Sequence, residues 1–239
     1  LHIHTWRSDG VGTLDYVYTY ARDIMGLDFI GHGDHAQYMS DDDWEDIKAL
    51  TRSMTEPGKF VAFPGFELSH NPRRLLPNGQ FKTIVPYYGD KNVYYLNEDE
   101  APIMRVTDRY RSYHARFRDI ADQLRGLDAM IVPHIHAAGV MTYYDPELVW
   151  IIEAFSAHHF NIKRERNYEW LEGVTQGCLG AGWRVGLVGG SDNHNARASQ
   201  DTYYPWQHEF RRDSLMAVLA PELTRESTWD AIRRRHVYA

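Results

Sequence analysis

The sequence has very little cysteine. Its 239 residues include one, Cys178. A single cysteine cannot form an intrachain disulfide or supply the paired thiolates of a cysteine-based zinc site. This composition is compatible with a reducing compartment and slightly favours a cytoplasmic location. No signal peptide is visible. The chain begins on a proposed ligand strand, so we expect a domain taken from a slightly longer protein, in which an export signal could lie upstream.

Several other features are missing, and each excludes a class of function. No apolar run is long enough to span a bilayer. The formal net charge of −7 argues against a nucleic-acid-binding surface. There is no Gly-x-Ser-x-Gly elbow and no Walker loop, the marks of many serine hydrolases and of P-loop nucleotide-binding proteins. We find no repeat, low-complexity tract or linker, and therefore predict one domain over residues 1–239.

Histidine, by contrast, is abundant, with 13 in the chain. His2 and His4 flank Ile3, and on a strand residues two apart point to the same face. Asp192 and His194 repeat this spacing near the other end of the sequence. Buried polar groups cost free energy unless they are satisfied, and a metal ion would satisfy these. Imidazole nitrogen and carboxylate oxygen suit zinc, iron and manganese.

The order of predicted elements indicates a βαβ arrangement. A helix over 13–26, capped by Thr13 and ended by Gly26, precedes a buried strand over 27–31. A second helix over 41–54 precedes a strand over 59–67. This alternation is typical of a parallel sheet or barrel. Residues 70–100 interrupt it with a hairpin-like excursion and a further strand at 92–96. The remaining predictions are strands at 129–134, 149–155, 184–190 and 215–219, helices at 112–125, 164–181 and 224–235, and a polar, aromatic loop at 198–213.

Polar side chains follow one predicted strand after another. In a parallel α/β barrel the carboxyl ends of the strands share one face, where active sites lie. Residues far apart in sequence would therefore converge there, and a metal centre explains them together better than separate structural roles do. The residues at these positions are His2, His4, His35, Glu67, His134, Asp192 and His194.

These segments resemble the ordered motifs of the PHP (polymerase and histidinol phosphatase) superfamily over essentially the whole chain. The matching segments are His2-Ile3-His4 with Asp9, Gly33-Asp34-His35, Pro64-Gly65-Phe66-Glu67, Pro133-His134 and Ser191-Asp192-Asn193-His194. The end of the chain, from Leu223 to Ala239, is similar to a poorly characterised branch of that superfamily. The resemblance implies a distorted (β/α)7 barrel, similar to a TIM barrel, with two or three divalent zinc, manganese or iron ions.

The resemblance also implies how the ligands are shared. The first ion would take His2, His4, Glu67 and Asp192, the second Glu67 and His134, and the third Asp9, His35 and His194. The family often has one more histidine, at a position between Glu67 and Pro133-His134. His70 and His114 are candidates for it, and Asp90-Lys91-Asn92 covers a stretch where related sequences often carry histidine, so the second position stays open.

The predicted chemistry is hydrolysis of a small-molecule ester by a metal-bound hydroxide, with Glu67, Asp192 and Arg197 as catalytic residues. A phosphate ester is the favoured substrate, with Arg197 lining the mouth for an anion. A carbamate or carboxylic ester is the alternative on the same ions. A non-catalytic metal-binding domain is a third reading, disfavoured because every expected ligand is present. His32 is predicted to be packed or hydrogen-bonded, and Asp34 to orient His35 or cap a turn. The sequence leaves the oligomeric state open.

Overall fold

The computed structural model describes most of the chain. The described residues are 1–68, 73–75, 81–83, 90–104, 117–134, 144–156, 159–160, 172–198, 202–204, 209–211 and 214–239. His70 and His114, the candidates for the additional histidine, lie outside them, as do His136, His158, Arg164, Arg166 and His208.

The helices form where amphipathic segments carry good caps. The described helices are α1 (Leu14–Thr19), a π-helical turn (Tyr20–Ile24), α2 (Asp41–Met54), α3 (Phe117–Leu124), α4 (Glu172–Gly180) and α5 (Arg225–Arg233). In α2, Ser40 and Asp43 form a reciprocal capping box, and the acidic first turn favours the helix dipole. Its bounds are those predicted. None of the helices in the described part of the chain is both long and apolar enough to cross a membrane.

The first helix differs from the regular helix predicted over 13–26. Thr13 caps it as expected, accepting a hydrogen bond from the backbone N–H of Tyr16. From Tyr20 onward the chain widens into a π-helical turn, closed by Met25 N–H donating to the Tyr20 carbonyl at 3.0 Å. Gly26 then leaves the helix with φ +61°, a conformation that glycine adopts readily. The periodicity of apolar residues predicted the location of the helix but not its π-helical turn.

The strands are short. The described strands are β1 (Phe29–Gly31), β2 (Val61–Phe63), β3 (Gly65–Leu68), β4 (Arg73–Leu75), β5 (Phe81–Thr83), β6 (Lys91–Tyr95), β7 (Ala129–Pro133), β8 (Ile151–Ser156), β9 (His159–Phe160), β10 (Gly186–Gly189), β11 (Thr202–Tyr204), β12 (Glu209–Arg211), β13 (Ala217–Val218) and β14 (Val237–Tyr238). The predicted polar loop at 198–213 contains the antiparallel β11–β12 pair, and β14, which was not predicted, pairs with a shortened last strand β13.

Pro64 divides the strand predicted over 59–67 into two. Proline has no N–H to give to a ladder, and the chain changes partner there. Before Pro64, β2 pairs in parallel with β1. After it, β3 pairs antiparallel with β6. The parallel β1–β2 pair confirms the predicted βαβ unit across α2.

Strand β6 departs from the all-parallel order that the sequence suggested. It lies between β3 and β7 and runs antiparallel to both. Beyond it, β8 pairs in parallel with β10. The hairpin-like excursion predicted for 70–100 contains the antiparallel β4–β5 pair. The described sheets have two or three strands each, so the (β/α)7 barrel stays a prediction.

Short backbone contacts bring the strand ends together. Parallel bridges join Ile3 to Asn193, His35 to Glu67, and His134 to Glu153. The backbone N–H of His2 donates to the Gly31 carbonyl at 3.1 Å, and that of Asp192 donates to the His2 carbonyl at 2.7 Å. Through these contacts the first residues of the chain lie between β1 and the segment after β10.

Apolar side chains fill both sides of this framework. One cluster packs α2 and α3 against β3, β6 and β7 and includes Trp44, Phe66 and Tyr95. A second packs α5 against β2, β7 and β8 through Trp229 and Trp150, whose rings meet edge to face. Burial of such aromatic groups supplies much of the stability of a fold. The strand ends are therefore fixed on a packed scaffold.

Candidate metal centre

The first two histidines converge, but not as residues of a regular strand. His2 has a left-handed backbone with φ +72°, and only Ile3 between the two is bridged in a ladder. The Nε2 atoms of His2 and His4 nevertheless lie 3.1 Å apart, and both side chains are fully buried. Gly33 allows this approach, because a β-carbon there would lie 2.8 Å from the His2 ring.

Four side chains, which we call the inner group, face one another across a small space: His2, His4, Glu67 and Asp192. Oε2 of Glu67 lies 3.5 Å from His2 Nε2 and 3.2 Å from His4 Nε2. Oδ1 of Asp192 lies 3.4 Å and 3.3 Å from the same two nitrogens. Ligand atoms about 2.0–2.2 Å from a tetrahedral ion lie about 3.3–3.6 Å from each other. The distances among His2, His4 and Asp192, and from Glu67 to the two histidines, are therefore those expected between ligands of one ion.

Glu67 is placed to serve more than one ion. Its Oε2 also lies 3.1 Å from Nδ1 of His35, while its Oε1 faces Nδ1 of His134 at 3.9 Å. The two oxygens thus turn toward different histidines. This arrangement would allow the carboxylate to bridge two ions, and the bridging role of Glu67 stays a prediction.

Three further predicted ligands form what we call the outer group: Asp9, His35 and His194. Oδ2 of Asp9 lies 3.3 Å from His35 Nε2, and its Oδ1 lies 3.2 Å from His194 Nε2. The His194 ring stacks on His4 with centroids 4.0 Å apart. His4, Asp9, His35 and His194 together offer ligand atoms within 4.8 Å of one another, enough to hold an ion.

The electrostatics of the site keep the carboxylates of Glu67 and Asp9 ionised. Burial favours the neutral acid of Glu67, yet the imidazoles of His35 and His134 hold its pKa well below the usual range. Burial likewise opposes charge on Asp9, but hydrogen bonds from His194 and His35 lower its pKa. Burial alone would lower the pKa of His35, but Glu67 and Asp9 raise it to about 9. Buried charges of this density fit a site that holds cations.

The predicted position of the second metal ion has the fewest candidate ligands. His2, Glu67 and His134 lie together and could hold an ion. Asn92 on β6 faces them, and its Nδ2 donates to His134 Nε2 at 2.7 Å. Oδ1 of Asn92 is buried and has no hydrogen-bond partner among the described residues. An amide therefore lies in the Asp90–Asn92 stretch where the resemblance leads us to expect an imidazole.

Sequence reasoning missed Glu153, which contacts the site from behind. It lies on β8, is 3% exposed, and holds its two oxygens 3.1 Å and 3.0 Å from Nδ1 of His2. The available signal was a carboxylate in the otherwise apolar run Ile151-Ile152-Glu153-Ala154. A lone acid in such a run indicates a buried polar partner.

Asp34 takes a different role from the one predicted. Its carboxylate accepts hydrogen bonds from the backbone of Thr5 at 2.7 Å, from Ser8 Oγ at 2.5 Å and from His32 Nε2 at 2.7 Å. None of its described contacts is with His35. Asp34 instead fixes the loop that carries Asp9. His32 is buried and bonded on both ring nitrogens, in agreement with the packed histidine predicted.

The structure does not place the Arg197 side chain in the site. Arg197 is exposed, and its backbone N–H donates to Oδ1 of Asn193 at 3.3 Å. The eight predicted metal ligands are brought together, whereas the anion-binding role of Arg197 stays a prediction.

No protein-family profile and no curated protein matches the sequence. Among solved structures, one similar chain is described as a candidate metal-dependent phosphoesterase from Bifidobacterium adolescentis, with 12% identity, a TM-score of 0.45, and coverage of 89% of this chain and 91% of that one. Another is PsfC from Pseudomonas syringae, with 16% identity, a TM-score of 0.44, and coverage of 82% and 74%. At TM-scores below 0.5 neither resemblance decides the activity, which has to come from the site.

Proposed function

We propose that this chain is a metal-dependent hydrolase that cleaves a small-molecule phosphate ester. The observation that carries the proposal is the spacing of the inner group in the buried end of the site: the Nε2 atoms of His2 and His4 lie 3.1 Å apart, and each lies 3.2–3.5 Å from an oxygen of Glu67 and of Asp192. A buried cluster of imidazoles and carboxylates has no packing use, and its donor set suits zinc, iron or manganese.

Each group of residues has a defined task in this proposal. The inner group would hold the first ion, Glu67 and His134 the second, and Asp9, His35 and His194 the third. Divalent ions at these positions would supply an activated water and a Lewis acid for the ester oxygen. Glu67 and Asp192 fix the charge and spacing of the inner group. The half-exposed side of the site, beside Asp9, is where substrate can enter.

The charge of the site favours an anionic substrate. Asp9, Glu67, Asp192 and Glu153 contribute four negative charges when all are ionised. Two divalent ions would neutralise them, and a third would leave an excess of two positive charges. Such an excess stabilises the negative charge of a phosphate ester in the transition state. A neutral carboxylic ester or carbamate gains less from it, and remains the alternative reaction on the same ions.

We further propose that the framework is a distorted barrel of the PHP type. Support comes from the chain of neighbours described above, in which residues 1–4 contact both β1 and the segment after β10. Support also comes from the placement of the predicted ligands at strand ends. The antiparallel β6 is a departure from a regular (β/α)7 order.

The function is tested with p-nitrophenyl phosphate, bis(p-nitrophenyl) phosphate and p-nitrophenyl acetate, each with added Mn²⁺, Fe²⁺ or Zn²⁺. We expect metal-dependent cleavage of a phosphate ester, abolished in Asp192→Asn. Cleavage of the acetate alone would replace the phosphoesterase by the ester hydrolase. Bound metal without turnover of any of the three would support the non-catalytic domain. The absence of bound metal, with no activation by any added ion, would overturn the proposal altogether.

A further inference from the structure

A buried carboxylate outside the ligand set lies directly behind the first histidine. Both oxygens of Glu153 lie within 3.1 Å of Nδ1 of His2, and the pair is almost completely shielded from water. The opposite nitrogen of the same ring, Nε2, faces His4, Glu67 and Asp192. Glu153 therefore contacts the ring nitrogen that points away from the inner group.

The direction of that hydrogen bond determines which nitrogen of the His2 ring carries a proton. A carboxylate can only accept, so Nδ1 of His2 must carry the proton. In the neutral ring the lone pair then lies on Nε2, the atom that faces the other inner ligands. A carboxylate on the distal nitrogen also makes an imidazole a more basic metal ligand.

The backbone around His2 leaves few other ways to hold the ring. His2 has φ +72°, a left-handed conformation that is rare for residues with a β-carbon. Its N–H and carbonyl are both bonded, to Gly31 and Asp192 respectively. The main-chain hydrogen bonds thus fix the position of the His2 backbone, and the contact with Glu153 fixes the orientation of the imidazole ring.

Gly190 provides the space in which this carboxylate lies. A β-carbon on Gly190 would lie 2.1 Å from Cδ of Glu153 and 2.2 Å from Oε2. No side chain heavier than hydrogen fits there without displacing the carboxylate. Gly190 comes two residues before Asp192, so the segment that carries one inner ligand also contains the glycine that makes room for Glu153.

We propose that Glu153 is a positioning residue for the first metal position: it turns His2 and fixes its tautomer so that Nε2 faces the ion. The inference deepens the proposed function, because it rests on an ion being bound by the inner group. It assigns Glu153 no direct bond to that ion. Its two consequences are that Glu153 controls affinity for metal, and that it does not change how many ions bind at saturation.

The test measures metal binding, not turnover. Wild type, Glu153→Gln and Glu153→Leu are titrated with Zn²⁺ and with Mn²⁺ against a chromogenic chelator, and ions per chain are counted at saturating metal. Loss of such an outer partner costs about 10–100-fold in metal affinity, so we expect a fall of that size in Glu153→Leu. Glu153→Gln can still present an amide oxygen to Nδ1–H, and should recover most of the affinity.

Glu98→Gln is the matched control. Glu98 is a buried carboxylate that accepts from Arg225 at 2.5 Å and 2.8 Å, and it has no described contact with the candidate ligands. We expect Glu98→Gln to lower the unfolding temperature and leave metal affinity unchanged. Unfolding temperatures with EDTA present show which variants fold. If Glu153→Leu does not fold, Gly190→Ala gives the same test, because it displaces the carboxylate and should weaken binding similarly.

The outcomes separate this inference from the proposed function. Wild-type affinity in folded Glu153→Leu or Gly190→Ala would overturn the positioning role. Loss of one ion per chain at saturating metal would also overturn it, by making Glu153 a ligand. Metal binding that behaves as expected in a protein that cleaves none of the esters would leave the inference standing and remove the phosphoesterase. A wild-type chain that binds no metal would remove both.

Discussion

The inner and outer groups of the candidate site use the same residue types in very different surroundings. In the inner group the side chains of His2, His4, Glu67 and Asp192 are 0–7% exposed. In the outer group His35, His194 and Asp9 are 14%, 21% and 49% exposed. Charge–charge interactions strengthen as water is excluded, so an ion in the inner group would be held more tightly. The outer group is where ligands and solvent can be exchanged.

Glu67→Gln should weaken metal binding in both the inner and the outer group, and we expect it to have the largest effect. Glu67 contacts both groups, through Oε2 toward His2, His4 and His35 and through Oε1 toward His134. An amide keeps the size but loses the charge, so both ions it would bridge should be weakened. We expect turnover to fall by roughly 10²–10³-fold or more, together with metal content measured by elemental analysis. Wild-type activity in Glu67→Gln would rule out bridging.

Two matched carboxylate variants, Asp192→Asn and Asp9→Asn, should separate the groups. Asp192 contacts His2 and His4 in the buried end, whereas Asp9 contacts His35 and His194 near solvent. We expect Asp192→Asn to lose the tightly held ion and nearly all turnover. Asp9→Asn should keep that ion and lose roughly 10–100-fold in activity. Metal counting by mass spectrometry checks both, and equal losses in the two variants would contradict the comparison.

Metal removal from wild type should proceed in two steps. Because the outer group is the more exposed, its ion should leave first as a chelator is titrated in. The inner ion should follow at a higher chelator concentration or on a slower time course. Ion release is followed by a coloured metal indicator, with Asp9→Asn as a control that should show the second step only. A single concerted release would mean that the two groups bind as one unit.

Arg197→Ala should have the smallest effect. Arg197 is exposed, and a contact made by such a side chain is screened by water, so its loss costs less than that of a buried charged partner, which is worth about 1.5–3 kcal/mol. We expect KM for a phosphate ester to rise by roughly tenfold or less, with metal content unchanged. Initial-rate kinetics on p-nitrophenyl phosphate measure this. Unchanged kinetics would reduce Arg197 to a surface charge.

The convergence of the candidate ligands could be predicted from the sequence because it depends on strand ends, and apolar runs locate those well; their binding of metal stays a prediction. The bounds of α2, and the metal-ligating residue types after β1 and β7 and near the end of β3, follow from local pattern. The left-handed backbone of His2 could not be predicted in this way, because the spacing of two histidines indicates a strand and gives no information about a positive φ. The direction of β6 was equally hidden, because β6 is buried along its whole length and does not show the alternation of buried and exposed residues that is typical of an antiparallel strand. The apolar run around Glu153 indicates a buried polar partner, but only the tertiary contact identifies that partner as His2.

The pairing of residues 2–4 with residues 192–193 has a consequence for biosynthesis. The backbone N–H of His4 donates to the carbonyl of Asn193 at 3.0 Å, so two segments at opposite ends of this sequence must meet. Contacts of such long separation form late and slow a folding reaction. At about 5–20 residues per second, a ribosome has to synthesise nearly all of this chain before its first two histidines gain their partners. We therefore expect a nascent chain stopped before residue 190 to hold metal no better than an unfolded peptide does.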